Sequence, residues 1–133
     1  MAQRLAGLRI LVVDDHDDLR FVVVTWLTRE GAEVVEASSA REAIEMAERQ
    51  FPSLAVLDLA MPGQDGFYLV SKLRALEREL GFEIPIVAIS SFYASEVQES
   101  VLRAGFDAFV ERPKEAETLI RILRALAFIG ATD

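Results

Sequence analysis

Ile10-Leu11-Val12-Val13-Asp14-Asp15 and Leu54-Ala55-Val56-Leu57-Asp58 are the stretches whose reading decides the fold. In each, four consecutive apolar residues run directly into carboxylates. Such a run without polar alternation suits a strand buried on both faces, as in a parallel sheet. Val34-Val35, Ile86-Val87-Ala88-Ile89 and Ala108-Phe109-Val110 are further compact runs of this kind.

The segments between them carry a helical period. Leu19, Val22, Val23, Trp26 and Leu27 form one stripe, and Gly31 stands where a left-handed helix end belongs. Ser39-Ala40-Arg41-Glu42 has capping-box spacing ahead of Ala43, Ile44 and Ala47. Leu69, Leu73, Leu76 and Leu80 end at Gly81, while Val97, Val101, Leu102 and Ala104 end at Gly105. Leu119, Ile122, Leu123 and Leu126 make the last stripe. Strand and helix thus alternate five times, which predicts one doubly wound α/β domain spanning residues 1–133.

Composition narrows the function. The 133 residues are 52% hydrophobic, enough for one packed domain, and carry 22 acids against 14 bases, a net charge of -8. That balance predicts no direct nucleic-acid binding and no anionic membrane partner, since both need clustered positive charge. Cysteine is absent and His16 is the sole histidine, so thiolate chemistry and His-rich metal clusters are excluded. The apolar stretches 5–13 and 119–129 are broken by Arg9, Arg121 and Arg124 and fall short of the ~20 residues of a membrane span. A cytoplasmic location is the expectation. Of the bases, only Lys72 and Lys114 are lysines.

Sites in open α/β sheets form at the carboxyl ends of strands. If the first and third strands are neighbours, Asp14, Asp15 and Asp58 converge there. Their repulsion raises their pKa values unless a cation neutralises them, and a hard dication such as Mg²⁺ fits oxygen ligands. The alternative is that Asp14 and Asp15 cap the first helix while Asp17 and Asp18 complement its dipole. That alternative does not account for Asp58, which is followed by the loop Leu59-Ala60-Met61-Pro62-Gly63-Gln64-Asp65-Gly66.

Four motifs, ILVVDD (10–15), LDLAMPGQDG (57–66), AISS (88–91) and AGFDAFVERP (104–113), together resemble the receiver domain of bacterial two-component response regulators. The resemblance implies a flavodoxin-like fold with strand order 2-1-3-4-5. It implies that Asp58 accepts a phosphoryl group from a sensor histidine kinase or phosphotransfer protein, and that the domain assists its own phosphorylation and dephosphorylation without being a conventional enzyme. Asp15 would hold Mg²⁺, Asp14 would bind the metal's waters, and Asp58 with the backbone carbonyl of Ala60 would complete the set. Ser90 matches the switch hydroxyl and Phe109 the switch aromatic. Ser90 also reads as an ordinary strand-end hydroxyl, and Phe109 as core packing.

Several residues depart from the family's pattern. The family has a lysine before a proline that follows a cis peptide, and this chain has Arg112-Pro113, with Lys114 two residues on. Arginine is always charged and forked, so it still binds phosphate, with a different reach. Phe92 would shield the site from water and lengthen the life of an aspartyl phosphate. His16 reads as an exposed residue among acids, or as a ligand or phosphotransfer group. Glu42, Glu45, Glu48 and Arg49 read as a solvated face. Leu119, Ile120, Ile122, Leu123, Leu126, Phe128 and Ile129 exceed one core stripe, which predicts an exposed patch, and the resemblance implies a partner or homodimer contact there, through residues 93–129. With four residues after Ile129, no DNA-binding segment is expected here; the sequence reads as a stand-alone receiver or as a domain cut from a longer protein, and its Leu8-Arg9 lead resembles receivers of hybrid kinases. Two alternatives remain at this stage: a degenerate receiver acting as an interaction module, and a haloacid-dehalogenase-like phosphatase suggested by Asp15-His16-Asp17.

Overall fold

A computed structural model describes residues 3–61, 65–81, 83–90 and 95–128, with residues 95–97 described in their backbone alone. Five strands alternate with five helices: β1 (Arg9–Val13), α1 (Asp17–Arg29), β2 (Glu33–Ala37), α2 (Ala40–Arg49), β3 (Leu54–Asp58), α3 (Gly66–Leu80), β4 (Ile86–Ser90), α4 (Ser95–Ala104), β5 (Ala108–Glu111) and α5 (Ala116–Ala127). All pairings are parallel and the order is β2-β1-β3-β4-β5, the doubly wound sheet that the sequence predicts.

Strand periodicity divides the core in two. Leu11, Val13, Ala55, Leu57, Ile86 and Ala88 face α2, α3 and α4. Their neighbours Ile10, Val12, Leu54, Val56, Val87 and Ile89 face α1 and α5. Every residue of β3 and β4 is buried, which explains why those strands read as unbroken apolar runs. Val22 lies outside the α1 stripe and is exposed, as are Leu80 and Leu102 at the margins of theirs.

The helix ends follow from local chemistry. Ser39 Oγ accepts the Glu42 N–H, and Glu42 returns its carboxylate to the Ser38 N–H, one residue earlier than in the reciprocal motif. Asp65 accepts from the Tyr68 N–H at the start of α3, and Gly81 ends that helix in the left-handed region at φ 84°.

The apolar surplus of α5 is largely absorbed. Leu119, Ile120 and Leu123 are buried, Ile122 and Leu126 pack against them, and Phe128 is partly exposed. Leu5, fully buried in the same cluster, supplies cover from the N-terminal segment. Arg4 ties that segment down with ion pairs to Glu30 and Glu117. Ile129 lies outside the described residues. The most exposed large apolar side chain among the described residues is Phe21 on α1.

At the amino end of the sheet, Arg74 on α3 donates to the carbonyls of Ile84 and Gly105 and pairs with Glu77 and Asp107. Glu77 and Asp107 in turn accept the N–H groups of Ile84 and Ile86. This partly buried network fastens α3, β4 and the approach to β5. A partly buried arginine is stable when its donors are met in this way.

Candidate functional site: an acidic edge with one arginine

β1 pairs with β2 on one side and β3 on the other, so the strand order reverses between β1 and β3. Val13 pairs with Leu57, so Asp14, just past β1, and Asp58, the last residue of β3, come side by side at the carboxyl edge of the sheet. Both are buried, as is Ser90 at the end of β4. Oxygen atoms of Asp14, Asp15 and Asp58 and a nitrogen of His16 lie within 4.8 Å of one another. The convergence expected from the sequence is therefore met.

The capping alternative fails on geometry. α1 begins at Asp17 behind His16, which makes no side-chain cap. Asp14 Oδ1 accepts the His16 N–H at 2.9 Å, a bond to the residue before the helix. This leaves Asp14 and Asp15 at the mouth of the sheet.

Arg112 enters from the far side. Its Nη2 is 3.1 Å from Asp14 Oδ2, and its backbone N–H donates to the Ser90 carbonyl at 2.7 Å, placing it at the ends of β4 and β5. Lys114 is exposed, so the cation at the site is Arg112. The peptide before Pro113 is trans, unlike the family's cis bond, and trans is the intrinsically preferred isomer even before proline.

Among the described residues, two buried side-chain polar atoms have no hydrogen-bond partner: the acceptor Asp15 Oδ1 and the donor Arg112 Nε. Each such orphan costs about 1–3 kcal/mol, which is retained in folds chiefly where a ligand meets it. His16 Nδ1 stands 3.3 Å from both Asp14 Oδ1 and Asp15 Oδ1, outside hydrogen-bond geometry for the latter.

Asp58 titrates at about 6, raised from 3.8. Burial contributes most and the charge of Asp14 next, against the opposing pull of the Ala60 N–H, 3.2 Å from Asp58 Oδ1, and of Arg112; Asp15 adds a smaller upward push. A cation beside the three acids would reverse that shift.

Arg20 was not legible as a site residue. Its guanidinium donates to the Asp14 carbonyl at 2.7 Å, to Asp17 at 2.7 Å and to Glu36 at 3.0 Å. One side chain thus clamps the turn bearing Asp14 and Asp15 to α1 and β2. Gly66 is the second supporting residue: a Cβ there would lie 2.6 Å from the Asp58 carbonyl. Phe109, on β5, is half-buried against the α3–α4 side of the core, and Phe92 lies outside the described residues.

A family profile described as "response regulator receiver domain" matches residues 10–124. The chain belongs to that family. It is 39% identical over 128 residues to an uncharacterized 14.6 kDa protein of Leptolyngbya boryana, covering 95% of this chain and 96% of the other. It is 36% identical over 118 residues to the probable transcriptional regulator ycf27 of Porphyra purpurea, covering 85% of this chain but 46% of that longer one. Among solved structures, the receiver domain of the histidine kinase CKI1 from Arabidopsis thaliana, complexed with Mg²⁺ and BeF₃⁻, superposes with a TM-score of 0.79 at 28% identity. The match covers 92% of this receiver and 91% of that chain. The receiver works in phosphorelay signal transduction, where its family meets histidine kinases and phosphotransfer proteins. Neither the degenerate nor the phosphatase alternative gains support. No described helix is long and apolar enough to cross a membrane.

Proposed function

We propose that this receiver accepts a phosphoryl group on Asp58 from a histidine phosphodonor, with Mg²⁺ held by Asp15, Asp58 and the Ala60 carbonyl, and with Asp14 binding the metal's waters. The observation that carries the reading is the pair of orphaned buried atoms flanking Asp58, an acceptor suited to a cation and a donor suited to an oxyanion. The donor set of three carboxylates and a backbone carbonyl suits a hard dication.

A carboxylate oxygen of Asp58 forms the new O–P bond while the N–P bond of the donor breaks, and the departing imidazole takes up a proton. Such transfers demand positioning and charge neutralisation more than covalent assistance. Arg112 Nε, which lacks a partner, donates to one phosphoryl oxygen, and the Ser90 hydroxyl at the end of β4 turns to another. Mg²⁺, when bound, neutralises the acids and the transferring group. With these groups the domain assists both its own phosphorylation and the later hydrolysis.

Because Arg112 is bonded to Ser90 through the main chain, a phosphoryl group that draws on both side chains pulls on the ends of β4 and β5 together. Phe109 follows as the switch aromatic. Residues 93–129, where Leu102 and Phe128 are exposed, form the responding partner or homodimer surface.

Incubation with acetyl phosphate and Mg²⁺, followed by intact-mass measurement, tests the assignment. One phosphate adduct in the wild type and none in Asp58→Asn is expected, and an adduct that persists in Asp58→Asn overturns it.

A further inference from the structure

We infer that His16 sets the metal preference of this site: its imidazole joins the carboxylates around a bound dication and favours nitrogen-seeking first-row ions such as Co²⁺ over Mg²⁺. The inference rests on reading the acidic edge as a cation site, and deepens it.

The geometry comes from the turn. The His16 N–H is anchored to Asp14 Oδ1 at 2.9 Å, which holds the ring at the mouth of the sheet with Nδ1 3.3 Å from Asp15 Oδ1. Neighbouring ligands on one ion, each about 2.1 Å from it, are about 3 Å apart, and opposed ligands about 4.2 Å apart. The separations within the four-residue group, all at or below 4.8 Å, fall near that range. Asp15 Oδ1 lacks a hydrogen bond, so an ion entering beside it satisfies a buried acceptor and meets the imidazole at once. The His16 side chain is 61% exposed, so turning its ring onto an ion sacrifices no core packing; Nδ1 gives up its 3.3 Å contact with Asp14 Oδ1 and the ring proton sits on Nε2.

Chemistry gives the direction of the preference. Mg²⁺ binds oxygen and keeps its waters, whereas imidazole is a favoured ligand for the later first-row dications. Exchanging one bound water for Nδ1 therefore strengthens Co²⁺ binding and leaves Mg²⁺ binding nearly unchanged.

The test titrates the full chain with Co²⁺ and, separately, with Mg²⁺, in wild type, His16→Gln and Asp15→Asn. Since His16 is the only histidine, hyperfine-shifted imidazole ring protons in the proton NMR spectrum of the Co²⁺ form have one source. The expected result is one such set of signals, lost in His16→Gln, with Co²⁺ affinity reduced about tenfold or more and Mg²⁺ affinity unchanged. A wild type without those signals, or equal loss for both ions in His16→Gln, overturns the inference. If Asp15→Asn abolishes binding of both ions while His16→Gln alters neither, the cation site stands and His16 alone is excluded. If Asp15→Asn leaves both affinities intact, the reading of the acidic edge itself falls.

Discussion

Arg112 and Asp14, 98 residues apart in the chain, meet across the mouth of the sheet with Nη2 3.1 Å from Oδ2. This pair neutralises one of three crowded carboxylates and stations the guanidinium beside Asp58. Arg112→Met is expected to slow labelling by acetyl phosphate at saturating Mg²⁺ by about a hundredfold, the scale of losing one charge-stabilising donor. Arg112→Lys is expected to recover part of that loss, because it restores the charge without the fork. Equal rates in Arg112→Met and wild type would remove Arg112 from the transfer step.

Asp58 supplies a pH dependence with a definite sign. Between its ordinary value of 3.8 and about 6, the folded state binds more protons than the unfolded state, so stability falls as pH rises through this window. The full shift corresponds to at most about 3 kcal/mol. In metal-free buffer, Asp58→Asn is expected to melt several degrees above wild type at neutral pH and to converge with it below about pH 4. Mg²⁺ is expected to raise the melting temperature of the wild type more than that of the variant. An Asp58→Asn variant that melts no higher than the wild type at neutral pH without metal would contradict the buried, repelled carboxylate.

Arg20 holds the turn that carries Asp14 and Asp15 rather than reaching Asp58. Arg20→Met removes the bonds to the Asp14 carbonyl, Asp17 and Glu36, and is expected to lower divalent-cation affinity about tenfold, with partial recovery in Arg20→Lys. The labelling rate at saturating metal should recover. A variant that loses thermal stability while keeping wild-type cation affinity would assign Arg20 a packing role only.

Gly66 offers a steric test. Its added methyl in Gly66→Ala meets main-chain atoms at the end of β3, which cannot rotate aside as a side chain can. A loss of about 1–3 kcal/mol in denaturant melts is expected, together with reduced labelling of Asp58. Unchanged stability would show that α3 shifts freely at its start.

The acids were readable because each of two apolar runs ends in a carboxylate, and strand adjacency does the rest. Ser90 and Arg112 were readable through the four motifs, and Lys114 was separated from Arg112 only by its exposure in the fold. Arg20 was not readable: in the sequence it is one arginine on a helix, and its three bonds exist only once β2 lies beside β1. Part of the apolar surplus of α5 is covered in a way the stripe does not reveal: Leu5, from a segment with no regular structure, packs there, while Phe128 stays exposed.

The network around Arg74 gives the molecule a direction. It rivets the amino ends of β4 and β5 to α3, while the opposite ends of the same strands carry Ser90, Glu111 and the chain leading to Arg112. If Asp58 is phosphorylated as proposed, a displacement at that end would pivot about a fulcrum one strand-length away and grow toward the tip, each strand acting as a lever clamped at its base. Amide hydrogen exchange should record this as a gradient, slow at Ile86 and faster toward Ser90.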